Sequence, residues 1–522
     1  MKKERKIMNK NLRLLFLITL FIFCIGYTFI NAYPDNDLWA RLIVGEHIVE
    51  KLEIIKNDFL SYTPTHAWLD HEWGASIFFY TAFKYFDETG LMFLKGILCA
   101  LMMFFCFKTV ELRNPKHTIS YNILHYVIMF FVVEKSLGAT PRCLLFTTLF
   151  FTIFLYLLEK ARLGNKKSLI LLPIIMLFWG NIHGGCLSGL GLIFLYIIGG
   201  ILDKKPIKEY AYTFIACLAT LFINPYGFEY VKFLFYAGTM NRELISEWAS
   251  PFAKENINLY LRYKIYLPIT IFSYITYILK NKIKYSELDK TKIIIIATTA
   301  ILSIFHIRHI VFFVLSAGIF LYDEIYYFIN LLIDKTKNIL KIKEKTYQTI
   351  ILAKNVFIYF FLLILTLPLI TAKDKQLDIT STKYPIYAVE FIKQNEIKGN
   401  IYVNFDWGSY VSYKLYPNNL IVMDGRYEEV YYNNLLLEQF NFHYLKNDWD
   451  KIIKENKTDI ILIEKNFPVF KKLSESNEWN KIFEDKYFGI FVLSSNTKNK
   501  YIIPTTDLDY YNNTKFIKNI SF

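Results

Sequence analysis

Charge is scarce in this chain. Asp, Glu, Lys and Arg together make up 20% of its 522 residues, against about 25% in an ordinary soluble domain. That shortfall argues against a soluble enzyme, a disordered chain or a collagen. Cysteine is sparse too. Cys24, Cys99, Cys106, Cys143, Cys186 and Cys217 fall in or beside apolar stretches, and no CxxC pair occurs, which argues against a disulfide framework or a zinc site. P-loop, Rossmann glycine fingerprint and HExxH are all missing. No internal repeat stands out, which weighs mildly against a symmetric transporter.

Apolar residues are what the chain has in quantity. They amount to 54%, and the mean hydropathy is +0.27, the balance of a polytopic membrane protein. The formal charge is 60 − 46 = +14. Its lysines cluster in short runs between apolar stretches, so they read as topology signals, not as a nucleic-acid footprint. The Phe-, Tyr-, Ile-, Asn- and Lys-rich composition suggests an AT-rich bacterium.

Apolar runs predict eleven spans, near 12–31, 90–110, 119–136, 143–159, 168–183, 186–202, 209–224, 263–279, 292–306, 309–330 and 350–371. The first is expected to be an uncleaved span, because it is long and lacks a clear small-x-small cleavage site before Pro34. With a cytoplasmic N-terminus, alternate connections carry the basic clusters. These are Lys108, Arg113 and Lys116; Lys160, Arg162, Lys166 and Lys167; Lys204, Lys205 and Lys208. The series ends with Lys280–Lys292 and Lys335–Lys345. The expected organisation is a transmembrane domain over 1–371 with outer loops 32–89 and 225–262. A linker follows at 372–383, then an extracytoplasmic α/β domain over 384–497 and a polar tail over 498–522.

The first outer loop opens with Asp35-Asn36-Asp37. A D-x-D pair can hold a divalent cation on a phosphate or supply a general base. Two solvated loop acids are the plainer reading. Leu38–Val49 is amphipathic and predicts an interfacial helix, with Trp39, Trp68 and Trp73 as anchors. Asp70, His71 and Glu72 form a dense ionisable cluster between two tryptophans. They suit a ligand site or, with Asp70 as N-cap, a helix start. The short run 75–86 predicts a second interfacial helix.

Arg142, the turn Trp179-Gly180-Asn181-Ile182-His183, and His306-Ile307-Arg308-His309 fall in short outer turns. Ionisable groups at tightly connected helix ends usually face a polar cavity. Arg142, Asn181, His183 and Arg308 are therefore candidate contacts for an anionic headgroup; the plainer alternative has the arginines snorkelling to lipid phosphates. Glu247 and Trp248 in the second outer loop either meet substrate or pack the loop.

Beyond Pro385, helix and strand patterns alternate: a helix at Ile386–Gln394, strands at 399–404, Leu420–Met423, Ile460–Glu464 and Gly489–Leu493, and a helix near 447–455. Asp424 and Arg426 fall at a strand's C-terminal end, a common place for ligand residues, or form a turn with an internal ion pair.

The basic N-terminus, the single span and the acid-led outer loop resemble the GT-C superfamily of integral membrane glycosyltransferases. The stretch DNDLWARLIVGEHIVEKLEIIKNDFLSYTPTHAWLDHEW, with WGNIHGG, INPYG and VMDGR, is similar to a widespread bacterial group within it. This resemblance implies a polyprenyl-phosphate-linked sugar donor, inverting transfer to a glycan, lipid or protein acceptor, and an active site on the outer face of a bacterial inner membrane. It maps the catalytic aspartate onto Asp35 or Asp37, with Mg or Mn as the cation such acids would hold. Donor-phosphate contacts map onto Arg142, His183 or Arg308. NFDWGSYVSYKLYPNNLIVMDGR is more loosely similar to the WWDYG region of oligosaccharyltransferases. It lacks the leading tryptophan pair, and the likeness implies that Asp406 and Trp407 bear on acceptor choice. Three alternatives stand beside a single-sugar transferase: transfer of a whole glycan, transport of a lipid-linked sugar, and an inactive scaffold.

Overall fold

A computed structural model describes residues 2–30, 33–113, 122–137, 141–240, 242, 245–340, 344–371, 377, 379, 384–432, 434–496 and 501. Lys116, Glu243, Lys341, Lys343 and most of the linker and polar tail lie outside the described residues. The chain divides into two compact units. One combines Met1–Tyr33 with Thr81–Leu377, and the other combines Pro34–Tyr80 with Asp378–Phe522.

The first unit is helical. Each of the eleven predicted apolar runs coincides with a helix, for example Lys2–Thr28, Leu144–Arg162, Leu187–Leu202 and Leu261–Lys280. The run 309–330 is broken: Ile307–Phe320 and Tyr322–Lys335 meet at 71°. The predicted helix 75–86 is also present, and the helical stretch Trp73–Arg113 leaves helical geometry at Asp87, where φ is 51°. Among the described residues, three helices are long and apolar enough to cross a membrane, or four if the bent pair counts as one span. Small residues let these helices approach closely, as in bilayer packing. A β-carbon on Gly26 would fall 2.6 Å from Thr366 Cβ, and one on Gly199 would fall 2.7 Å from Thr291 Cβ.

Some residues of the basic clusters are paired with acids inside this unit. Arg113 pairs with Glu159, a fully buried carboxylate that also accepts from Tyr196 Oη at 2.7 Å. Arg162 holds Asp289 at 2.7 Å, and Lys292 meets Glu324 at 2.5 Å. These pairs satisfy charges that burial would otherwise penalise. The six cysteines are buried thiols.

The second unit is α/β. Its five strands are β1 (Gly399–Tyr402), β2 (Asn419–Ile421), β3 (Ile460–Glu464), β4 (Trp479–Glu484) and β5 (Phe488–Leu493), in the order β2-β1-β3-β5-β4. β1 runs parallel to β2 and β3, and β5 antiparallel to β3 and β4. Central β3 reads IILIE and buries its first four residues, as a strand covered on both faces does. The β4–β5 turn is closed by Asp485, whose Oδ1 accepts the Tyr487 and Phe488 amides at 2.7 Å each.

The first outer loop completes this unit. Ile421 donates to Leu60 O and Tyr62 donates to Ile421 O, both at 3.0 Å, so the loop lies along the open edge of β2. Helix Leu38–Lys51 was expected at a membrane interface with Trp39 and Trp68 as anchors. Instead nine of its residues are buried within this unit, and Trp39 and Trp68 are 0% and 1% exposed. Amphipathic spacing fits a helix packed on protein as well as one packed on lipid.

Candidate active-site elements

The α/β unit holds seven of the predicted residues on three short segments: Asp35 and Asp37, then Asp70, His71 and Glu72, from the first loop, and Asp424 and Arg426 from the turn after β2.

Asp424 and Arg426 form the internal ion pair. Arg426 Nε donates to Asp424 Oδ1 and Oδ2 at 2.8 and 3.0 Å. Nη1 donates to Asp58 Oδ1 at 2.7 Å, and Nη2 to Tyr431 Oη at 3.1 Å and Ser61 Oγ at 3.3 Å. The guanidinium also lies 4.5 Å from the Trp68 ring, a favourable stacking distance. Burial favours deprotonation of Arg426, but Asp424 and Asp58 more than offset it and hold the charge firmly. Asp58 is correspondingly held below its usual range: burial would raise it, and Arg426 overrides that.

This pinned turn carries Gly425. A β-carbon built on Gly425 would overlap Asp37 Oδ1 and come within 3.1 Å of Asp37 Cγ. Asp37 occupies the N-cap position of helix Leu38–Lys51, yet its side chain makes no capping hydrogen bond. The usual role of aspartate at that position is thus unused. Asp35 differs, because its Oδ1 accepts the Asp37 amide at 3.2 Å. Tyr384 Oη approaches Pro34 O at 3.1 Å and Asn36 Oδ1 at 3.0 Å, fixing the turn from the other side. Burial and the carboxylates Asp35 and Asp37 push the Tyr384 phenol well up, so it stays a donor.

Asp70, His71 and Glu72 build a second buried cluster. Arg41 Nη1 meets Asp70 Oδ1 at 2.5 Å, and Arg41 also lies 3.4 Å from Glu429 and 3.6 Å from Glu72. His71 Nδ1 is 2.6 Å from Glu429 Oε1, while Trp68 Nε1 donates to Glu429 Oε2 at 2.8 Å. Burial alone would lower the His71 pKa, but Glu429, with Glu72 and Glu428 nearby, brings it up to about 9. Four carboxylates face two bases here, and Asp70 absorbs the imbalance. Burial raises it to about 6 despite Arg41. Asp70 Oδ1 also accepts the Glu72 amide at 2.9 Å, as a residue ahead of a helix start does. Arg41 and Glu429 escaped the sequence reading. The available signal was an arginine inside the apolar run LWARLIV, which a buried helix has to pair.

Asp406 is exposed and Trp407 is 5% exposed, packed edge-on against Phe488 at 5.0 Å. Gly408 packs against Met423 and Asp424, where a β-carbon would lie 2.8 Å from Asp424 Cβ. The Asp-Trp-Gly segment therefore buttresses the Asp424 turn.

The helical unit contains the other four candidates. Arg142 pairs with Glu247. Burial would raise the Glu247 carboxyl, but Arg142 and Arg308 hold it below its ordinary value. Trp248 is flanked by Arg242 at 4.6 Å and Arg308 at 5.8 Å, and its carbonyl accepts from His306 Nδ1 at 2.7 Å. The second outer loop thus joins the turns bearing Arg142 and Arg308. Arg242, 8% exposed, is an addition to the sequence reading. Asn181 donates to Leu177 O and Ile223 O at 2.8 and 2.9 Å and accepts from Asn224 at 3.1 Å, a tie between the WGN and INPYG turns. His183 Nδ1 accepts the Gly185 amide at 3.0 Å and lies 2.7 Å from Thr147 Oγ1. A neutral imidazole so held carries its proton on Nε2.

No family profile matches the sequence. No curated protein sequence matches it either. Solved structures do. The apo oligosaccharyltransferase of Archaeoglobus fulgidus superposes with a TM-score of 0.56 at 9% identity, over 86% of this chain and 69% of that one. The fold is similar to that of an archaeal oligosaccharyltransferase. The same enzyme bound to an inhibitory peptide and a dolichol-phosphate gives 0.55 at 10% identity, over 94% and 75% of the two chains. Its complex with Zn and sulfate gives 0.51 at 10% identity, over 86% and 68%. At these identities the likeness is one of fold.

Proposed function

We propose that this chain is an integral membrane glycosyltransferase that moves a sugar from a polyprenyl-phosphate-linked donor to an envelope acceptor on the extracytoplasmic face of a bacterial inner membrane. The observation that carries the reading is the contact between Asp37 and Gly425. A half-buried carboxylate, released from capping, is held by a turn that is itself pinned by a buried ion pair. Such preorganisation suits a general base. Asp37 takes the proton of the acceptor hydroxyl as its oxygen bonds to the anomeric carbon. The bond from that carbon to the phosphate oxygen breaks, and the lipid phosphate leaves with inversion. Asp35, occupied by the Asp37 amide, is the orienting partner. Arg142, Arg242 and Arg308, gathered about Glu247 and Trp248, would supply positive charge to hold a phosphate. Asp35 and Asp37 offer hard oxygen donors that fit Mg or Mn; a bound ion would neutralise phosphate charge. The archaeal relative in fold was solved with a dolichol-phosphate and a peptide, which supports a lipid-linked donor.

The test is mass spectrometry of lipid-linked and envelope glycans in a deletion strain complemented with wild type, Asp37→Asn or Asp35→Asn. Loss of one residue from an acceptor, restored by wild type and not by Asp37→Asn, is the expected result. Full restoration by both variants rejects the catalytic reading. The fold likeness favours one second reading, transfer of a whole glycan, and the mass shift of the acceptor separates the two.

A further inference from the structure

In the helical unit, His183 is held by a chain of hydrogen bonds whose direction is fixed at each link. Trp179 Nε1 donates to Thr147 Oγ1 at 2.9 Å, and an indole nitrogen can only donate. Thr147 Oγ1 lies 2.7 Å from His183 Nδ1, and the Gly185 amide donates to the same nitrogen at 3.0 Å. A proton on Nδ1 would face that amide hydrogen, so Nδ1 is the acceptor and the Thr147 hydroxyl is turned toward it. All three side chains are buried. Gly185 is what lets them close: a β-carbon there would overlap Thr147 Oγ1 and fall 2.6 Å from His183 Nδ1. His183 also caps the helical stretch Gly184–Leu202, so the partial positive charge of a helix start lies beside the ring.

We propose that Thr147, with Trp179 behind it, is a positioning residue that fixes His183 as an N–H donor, through Nε2, to a phosphate oxygen of the lipid-linked donor. The proposal rests on the reading of a polyprenyl-phosphate donor. The surroundings of His183 favour an oxyanion over a metal ion. A metal would take the Nε2 lone pair and force the proton onto Nδ1, against the Gly185 amide. The helix start favours negative charge and disfavours a cation. Thr147 touches no substrate in this scheme. It acts by setting the tautomer and the plane of the His183 ring, and these decide where the N–H is aimed.

The test is nitrogen-15 NMR of the histidine-labelled full chain in nanodiscs, with affinities from calorimetry and with farnesyl phosphate and farnesol as probes. The His183 signals are assigned by their loss in His183→Gln. Wild type is expected to carry the proton on Nε2, and farnesyl phosphate, unlike farnesol, is expected to shift that signal. Thr147→Val keeps the shape of the side chain without its hydroxyl. Farnesyl phosphate is expected to bind it about tenfold more weakly, the scale of one hydrogen bond, and Thr147→Ser is expected to restore the affinity. Thermal unfolding checks the fold of both variants, and the wild-type tautomer tests the hydrogen-bond chain without any variant. A proton on Nδ1 in wild type, or its transfer there when Zn²⁺ is added, overturns the proposal. An equal response to farnesol overturns it too. Wild-type affinity in both Thr147→Val and His183→Gln overturns it and leaves the lipid-phosphate donor standing. No binding of farnesyl phosphate by wild type removes the donor reading itself, and the proposal with it.

Discussion

Gly425 faces the carboxylate of Asp37 so closely that no β-carbon fits between them. The two residues come from opposite ends of the sequence, and the turn bearing Gly425 is fixed by Arg426 on Asp424 and Asp58. A methyl group at 425 has to displace either the pinned turn or the carboxylate, and either shift takes Asp37 out of its seat. Gly425→Ala is therefore expected to cut the turnover number about a hundredfold, the scale of an ångström-level misplacement, while KM for the donor holds. An in vitro transfer assay with purified protein measures this, and wild-type turnover in Gly425→Ala counts against the seat.

The Arg426 network contributes differently. Removing one partner of a buried ion pair costs about 3–5 kcal/mol, because the charge left behind stays buried. Arg426→Met strands Asp424 and Asp58, so the α/β unit is expected to unfold at markedly lower denaturant concentration. Chemical unfolding followed by tryptophan emission reads this directly, since Trp68 lies against the guanidinium.

His71 gives the unit a pH signature. Its pKa is raised from 6.5 to about 9, so the His71–Glu429 pair contributes stability that is complete below pH 6.5 and lost as pH climbs through 9. Thermal unfolding of wild type is expected to weaken across that window. In His71→Gln the slope between pH 6.5 and 9 should flatten, and an unchanged slope would assign the effect to another group.

In the helical unit, Arg142→Gln leaves Glu247 with Arg308 alone to hold its pKa down. A hydrogen bond to a charged group is worth about 1.5–3 kcal/mol. The expected result is a rise in KM for the lipid-linked donor of roughly tenfold or more, with KM for the acceptor little altered. Steady-state kinetics varying each substrate separately checks it, and an unchanged donor KM removes Arg142 from phosphate binding.

The apolar runs were legible because a helix hidden from water needs a long apolar stretch, and all eleven predicted runs fall on helices. Strands β1, β2, β3 and β5 were legible for a similar reason, as short apolar runs between turns. Trp39 and Trp68 were misread because indole suits a membrane interface and a protein core equally well. Arg41 and Glu429 were missed because pairing between distant segments leaves no periodic trace. The Asp-Gly-Arg turn drew notice for its charges. Its glycine, the residue in contact with Asp37, carries no chemistry to notice.

The strip of first loop lying along β2 bears on how the protein is made. Thr63 Oγ1 donates to Val422 O at 2.7 Å across 359 residues of chain, so the loop emerges early in synthesis and waits for a strand that appears near its end. Such a long-range pairing closes late. Until it does, the loop's buried tryptophans need shielding, and the β2 edge that the loop covers stays open to mispairing. A fragment spanning 384–496 alone would keep that edge permanently, and co-expression with residues 34–80 is the route to a soluble form.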